Sequence, residues 1–272
     1  MITQNLHMHS TWDDGKCSVE EMVAASRDAG LTSVGFSVHC PMPFENSWEC
    51  PMEKLPDYMA DVCEMKAKYA GAIDVYLGIE WDATAQDLDL SPFDYVIGSV
   101  HEIPVPQGGT RSVDSNPETT QAYISECFSG DADAAAEAYF AELSKVANRP
   151  EVQIVGHFDL LTKFDETHHF FDENSPRYQA AARAAMQELV KAGKIFEVNT
   201  GAISRGYRTT PYPSAKWLEL LCELGGRVTV SADAHHTSGV TCAFDLAEKM
   251  VKDAGFEEIW ILQDDKFVPV KI

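Results

Sequence analysis

Short apolar runs rich in Val, Ile, Phe and Tyr recur along the chain, alternating with longer stretches whose apolar positions fall three and four apart. The short runs predict strands over Ile2–His9, Thr32–His39, Ile73–Trp81, Tyr95–His101, Gln153–Phe158, Ile195–Asn199 and Arg227–Ala232. A further strand is predicted over Glu258–Leu262. The longer stretches predict helices over Ser18–Ala29, Met52–Tyr69, Asp131–Val146, Pro176–Ala192, Ser214–Leu224 and Thr241–Ala254. The first helix opens with Ser18 and Glu21 at capping-box spacing and stops at Gly30; the fourth stops at Gly193. Strands that alternate with helices make parallel β-α-β units, and seven of them imply an α/β domain built as a closed or nearly closed barrel. An open doubly wound sheet is the competing arrangement. No G-x-G-x-x-G follows the first strand, which weighs against the dinucleotide-binding form of that competitor.

One stretch interrupts the alternation. Pro104–Ser129 holds Pro-Val-Pro-Gln-Gly-Gly and Asp-Ser-Asn-Pro and leads into the alanine-rich Gly130–Glu142. It is too long for a tight turn, so residues 104–142 are expected to form an insertion, either lid-like over a site or decorative, within a single domain spanning 1–272.

Composition removes several function classes. The 272 residues carry 21 basic and 43 acidic side chains, a formal net charge of −22. Such a field repels nucleic-acid backbones and anionic lipid, so neither nucleic acid nor membrane is an expected partner. An anionic substrate must instead meet local cations, which bound metal ions would supply. No apolar run is long enough to span a bilayer, and the first residues lack the basic and apolar regions of a secretory signal. The seven cysteines form no C-x-x-C pair and are odd in number, which suits reduced thiols in a cytoplasmic protein. Oligomeric state leaves no mark on the sequence.

The chemistry is concentrated where the strands end. His7 and His9 are two apart, so on a strand they point the same way. His39, Glu80 and His101 each close an apolar run; His157 follows Ile-Val-Gly, and Asp233 and His235 follow Val-Thr-Val-Ser-Ala. In a β/α barrel all these ends converge on one rim, where active sites of that architecture lie. Polar groups at six such ends without partners would each cost a few kcal/mol of desolvation, a cost that metal coordination removes. A His, Asp and Glu donor set without cysteine suits zinc, manganese or iron(II). Glu80 is the natural bridging carboxylate, and the number of ligands exceeds the needs of one ion. Clustered divalent ions activate water and clamp phosphoryl oxygens, which makes phosphoester hydrolysis the leading reading. Hydrolysis of an amide or lactone on a comparable barrel remains the alternative.

His7-Met8-His9, Asp14-Gly15, His39, Glu80, His101, His157 and Asp233-Ala234-His235, in that order, resemble the motif set of the PHP (polymerase and histidinol phosphatase) superfamily. Gly156-His157-Phe158-Asp159-Leu160, Asn199-Thr200-Gly201 and Pro211-Tyr212-Pro213-Ser214 are similar to its monofunctional histidinol-phosphatase branch. The resemblance implies a distorted (β/α)7 barrel with two to three divalent ions and a phosphomonoesterase acting on L-histidinol phosphate in histidine biosynthesis, through a hydroxide bridging two ions. Another small phosphate monoester is the alternative substrate, and a non-catalytic PHP module is a third reading. By the same resemblance His7, His9, Glu80 and Asp233 hold one ion, Glu80, His101 and His157 a second, and Asp14, His39 and His235 a third. Asp13 competes with Asp14 for that role. Glu80, Asp233 and His235 are the catalytic candidates.

The substrate phosphate needs cations, and Lys163 and Arg205, on loops after strand ends, resemble the family's phosphate clamp, with Arg208 a weaker candidate. Trp12, Phe44, Trp48 and Tyr207 are candidates to cover a substrate ring. His168 and His169 are expected on loop surface or pocket lining, and His236 behind the ligands.

Overall fold

The computed structural model describes all residues except 45, 86, 106 and 107. Seven parallel strands form one sheet in the order β1 (Gln4–Asn5), β2 (Ser33–His39), β3 (Asp74–Asp82), β4 (Tyr95–Ser99), β7 (Ile154–Val155), β8 (Ile195–Asn199) and β9 (Arg227–Ser231). The sheet curls into a nearly closed, distorted (β/α)7 barrel. Its seam is spanned just beyond β1 and β9, where Met8 bridges Ala234: His9 N donates to Ala234 O (2.9 Å) and Ala234 N to His7 O (3.2 Å). The hairpin β5 (Glu102–Pro104) and β6 (Thr110–Ser112) follows β4, and the hairpin β10 (Glu258–Gln263) and β11 (Lys266–Lys271) ends the chain.

The principal helices are α1 (Val19–Asp28), α2 (Leu55–Lys68), α4 (Ala132–Ser144), α6 (Pro176–Lys191), α8 (Ala215–Glu223) and α9 (Phe244–Asp253). Short helices α3 (Pro117–Ala122), α5 (Asp165–His168) and α7 (Gly201–Ser204) lie between them. The capping box of α1 is present: Glu21 N donates to Ser18 Oγ and Ser18 N to Glu21 Oε2. Of the expected 104–142 insertion, residues 132–142 lie in α4, the crossover helix between β4 and β7. Residues 106 and 107 lie outside the described residues.

The first and fifth predicted strands are longer than the ladders observed. β1 and β7 each pair over two residues, because the chain beyond them turns to bring His7, His9 and His157 over the barrel mouth. The prediction also missed β11, whose partner β10 docks beneath the barrel. There Leu262 N donates to Gln4 Oε1 and Leu262 O accepts from Gln4 Nε2, both at 2.8 Å.

Strand alternation gives the barrel interior two levels. On β3 the inward column reads Tyr76, Gly78, Glu80 and Asp82. Its lower part joins Leu6, Tyr95, Ile97, Ile154 and Leu262 in an apolar plug, and its upper part is carboxylate. Tyr95 fills the middle and donates to Leu6 O (2.5 Å). Only glycine admits it, since a Cβ on Gly35 or Gly78 would stand 2.3 or 2.2 Å from the phenol. The ring is fully buried and has nowhere to move, so Gly78→Ala is expected to destabilise the fold by about 1–3 kcal/mol through overpacking. Urea unfolding checks this; an unchanged midpoint would show that the ring can shift.

Candidate metal centre

Above the apolar plug, the strand ends deliver polar side chains to one spot. His39 ends β2, Glu80 lies near the end of β3, His101 follows β4, His157 follows β7, and Asp233 and His235 follow β9. His7 and His9 follow β1, and Asp14 comes from the loop after it. The donor atoms of these nine residues form four overlapping groups, within each of which every pair lies inside 4.8 Å. The groups are His7, His9 and Asp233; His7, Glu80 and His157; His39, Glu80 and His101; and His9, Asp14, His39 and His235. Glu80 is central: its Oε2 lies 2.9 Å from His39 Nδ1 and 3.2 Å from His7 Nε2, and its Oε1 lies 3.0 Å from His157 Nε2 and 3.5 Å from His101 Nε2.

The donors are arranged as ion ligands rather than as a hydrogen-bonded network. His7 Nε2, His9 Nε2, Glu80 Oε2 and Asp14 Oδ1 are buried and make no hydrogen bond. Buried polar atoms without partners are costly unless something else satisfies them. Two ligands about 2.1 Å from a shared ion stand roughly 3–3.5 Å apart. His9 Nε2 and Asp233 Oδ1 are 3.3 Å apart, and Asp14 Oδ1 and His235 Nε2 3.1 Å. The residues present therefore fit divalent metal. The grouping differs in detail from the one the family resemblance implies, since His157 shares its group with His7, and His101 with His39.

The same proximity governs protons. Burial lowers the His9 pKa, but Asp13 and Asp233 outweigh it and raise it to about 10. Burial likewise lowers that of His101, while Glu80, Asp82 and Asp114 raise it to about 9. Burial would raise the Glu80 pKa, yet His7, His101, His39 and the His157 bond hold it well below the carboxylate range. Without metal, then, protons hold the site together. The imidazole contribution to stability is complete below the unfolded pKa of about 6.5 and is lost as pH rises through about 9 to 10. The carboxylate contribution is lost in acid, as pH falls below about 4. Metal needs neutral imidazole. Zinc added to chelator-stripped protein near neutrality is therefore expected to release protons, with affinity climbing as pH rises toward 9. Calorimetry in two buffers of different protonation enthalpy checks this; identical heats would refute it.

Outer groups fix the ligands. Asp13 Oδ2 lies 2.6 Å from His9 Nδ1 and accepts from His39 N (3.1 Å), while Asp13 Oδ1 accepts from Ser10 N (3.0 Å). Asp13 thus orients histidines, while Asp14 Oδ1 stands 3.1 Å from His235 Nε2 and 3.8 Å from His39 Nε2 and is the member of this loop that joins a donor group. Asp82 Oδ2 accepts from His101 N (2.7 Å), and Ser99 Oγ donates to Glu80 Oε1 (2.6 Å). Glu197 Oε1 lies 2.6 Å from His7 Nδ1. Sequence reasoning missed Glu197, Asp82 and Ser99. A signal existed for two of them: Glu197 is a charge inside an apolar strand, and Asp82 is two residues from Glu80 on the same face.

A cavity of about 650 Å³ opens over the centre. Arg205 and Lys163 line it, as do Phe44, Trp48, Tyr207 and His236. Arg205 lies at the metal end: its Nη2 donates to Asp233 Oδ2 (3.0 Å), its Nη1 is 2.9 Å from His235 Nδ1, and its buried Nε makes no hydrogen bond. Lys163 Nζ donates to both Asp114 O and Asp114 Oδ2 at 2.9 Å, which ties it to the segment after β6. Ser112 at the end of β6, and Asp114 and Ser115 just beyond it, also line the cavity. Trp48 meets His39 edge-on at 5.0 Å between ring centroids.

Other candidates lie elsewhere. Arg208 stacks on Tyr212 and donates to Thr162, away from the cavity. Trp12 donates its indole N–H to Asp61. His168 stacks on Phe170, and His169 takes a left-handed turn beyond α5.

Known proteins share this domain and this fold. Residues 5–201 match the PHP domain. A Deinococcus radiodurans protein, provisionally named a histidinol-phosphatase, is 29% identical over 247 residues, covering 86% of each chain. A Listeria monocytogenes structure, provisionally named a histidinol phosphatase, superposes with a TM-score of 0.79 at 20% identity, covering 89% of this chain and 99% of that one. The Lactococcus lactis histidinol phosphate phosphatase, solved with zinc, L-histidinol and phosphate, superposes with a TM-score of 0.75 at 21% identity, covering 98% of each chain. With the domain match spanning most of a barrel whose strand ends meet in a single donor cluster, this chain belongs to the PHP domain family.

Proposed function

We propose that this chain is a metal-dependent phosphomonoesterase that hydrolyses L-histidinol phosphate to L-histidinol and phosphate. The observation that carries the chemistry is the convergence of unpartnered, buried donor atoms beside the Arg205 guanidinium at the floor of one cavity. The substrate is named from the relatives that share the family and nearly the whole length of the chain. Residues 1–272 act as one unit, with part of the 104–142 segment walling the cavity.

His7, His9, Asp14, His39, Glu80, His101, His157, Asp233 and His235 hold two to three ions, of zinc, manganese or iron. Bound divalent ions supply activation of water and neutralisation of the phosphoryl oxygens. Arg205 orients the phosphate through its planar fork, and its contact with Asp233 and His235 keeps that fork at the metal end. Glu80 and Asp233 remain ionised and set the charge of the centre. His235 faces the cavity, and burial together with neighbouring His9 lowers its pKa, so it is neutral near pH 7 and available as a ligand. Phe44, Trp48 and Tyr207 offer apolar cover for the non-phosphate part of the substrate. Among the described residues no helix is long and apolar enough to cross a membrane, and all seven cysteines are free thiols.

Phosphate release from L-histidinol phosphate with added manganese or zinc, set against p-nitrophenyl phosphate and several sugar phosphates, tests the assignment. The highest kcat/KM is expected for L-histidinol phosphate. Preference for another ester would keep the metal chemistry and overturn the substrate.

A further inference from the structure

Strand β8 differs from the other six barrel strands: among the described residues, its C-terminal end contributes nothing to the donor groups. Its inward side chains are nonetheless charged and polar and fully buried, namely Glu197 and Asn199. Glu197 Oε1 meets His7 Nδ1 at 2.6 Å. Glu197 Oε2 accepts from the backbone N–H of His157 (3.0 Å) and from Asn199 Nδ2 (2.9 Å). The same Asn199 amide donates to Asp233 Oδ2 (3.3 Å), and Asn199 Oδ1 accepts from Gly201 N (2.8 Å). Two adjacent inward residues thus touch His7, His157 and Asp233, which come from three other strand ends. Backbone bonds to Tyr212 in both directions, 2.7 and 2.9 Å long, pin the end of the strand on which they sit.

We infer that β8 is a brace dedicated to the metal centre, with Glu197 as the positioning residue that fixes His7 and His157 together and Asn199 extending its hold to Asp233; this rests on the metal reading above. His7 belongs to two donor groups and His157 to one of them, so a single carboxylate controls the geometry of both groups. Glu197 also sets the tautomer of His7: as an acceptor at Nδ1 it keeps the hydrogen there and leaves Nε2 bare toward the ion. A glutamine cannot do this. Its one carbonyl must lie where Oε2 lies, because two donors already converge there. Its NH2 then points at His7 Nδ1, forcing the hydrogen onto Nε2, the atom that faces the metal. Turning the amide over sets its NH2 against two other donors.

The test is metal titration into chelator-stripped wild type, Glu197→Gln and Glu197→Asp, with ions counted by elemental analysis and the cobalt(II) absorption spectrum recorded alongside. Glu197→Gln is expected to lose about 10- to 100-fold in affinity for the ions that His7 serves, with an altered cobalt spectrum and with the affinity for an ion that His7 does not serve kept. Glu197→Asp, which keeps both acceptor oxygens on a shorter stem, is expected to recover part of that loss. Equal affinity, stoichiometry and spectrum in wild type and Glu197→Gln would overturn the inference. So would an equal weakening of all the ions, the mark of a purely structural residue. If wild type binds no metal, the metal reading fails first and is recognised as the failure.

Discussion

Glu80→Gln is expected to remove metal-dependent phosphate release almost completely, with kcat/KM falling on the order of 10³–10⁴-fold, since electrostatic stabilisation of this kind supplies several kcal/mol. The substitution is nearly isosteric, so the loss comes from charge and from acceptor geometry. Glu80 is 1% exposed, and its two oxygens face the imidazoles of His7, His39, His101 and His157. Among the described residues, no other side chain stands between so many of the candidate ligands. An amide in its place removes one negative charge from the centre and turns an N–H toward nitrogens whose lone pairs are needed for an ion. Ions in two of the donor groups lose a ligand together, so the expected metal count falls along with the rate. The assay is phosphate release at saturating manganese, with ions counted after gel filtration. Full metal content with a small loss of rate would show that Glu80 is not shared, and would leave the second ion without a bridge.

The reason Glu80 could be singled out in the sequence is also the reason most of the centre could. A barrel strand alternates inward and outward, and a charged residue closing an apolar run has few places to go except the mouth. His39, Glu80, His101 and Asp233 follow that rule directly. Asp13 and Asp14 show where it stops. Both follow the first strand, and their order along the chain does not say which one turns inward. The turn decides it: Gly15 packs so closely on the His9–Ser10 backbone that a Cβ there would lie 2.3 Å from Ser10 N. That approach presents Ser10 N–H and His39 N–H to Asp13, and leaves Asp14 facing His235 and His39. Glu197 was hidden for a different reason. Its function is exercised on residues 190 and 40 positions away, and nothing in its local sequence names those partners. The plug under the barrel was hidden likewise, because a C-terminal strand does not announce that Gln4 will receive it.

Lys163 and Arg205 looked equivalent as candidate phosphate cations, and the structure separates them. Lys163 already gives its ammonium to two oxygens of Asp114, which offsets much of its charge. Arg205 also holds a carboxylate, but that carboxylate is Asp233, whose own charge is wanted by an ion, and the guanidinium keeps an unpartnered Nε in reserve. The phosphate-binding contribution is therefore expected to fall mainly on Arg205. Arg205→Ala should lower kcat/KM on the order of 10²–10³-fold, the range seen when one preorganised donor to a developing charge is removed. It should also weaken inhibition by inorganic phosphate. Arg205→Lys should recover only a small part, because an ammonium keeps the charge but not the two-pronged contact. Lys163→Ala should cost less than either and should chiefly loosen the segment carrying Asp114. The comparison is made at saturating metal, with the ions of each variant counted, so that a lost Asp233 contact is not mistaken for a lost phosphate contact. A phosphate inhibition constant unchanged in Arg205→Ala would move the role to Lys163, whose release from Asp114 would then have to accompany substrate entry.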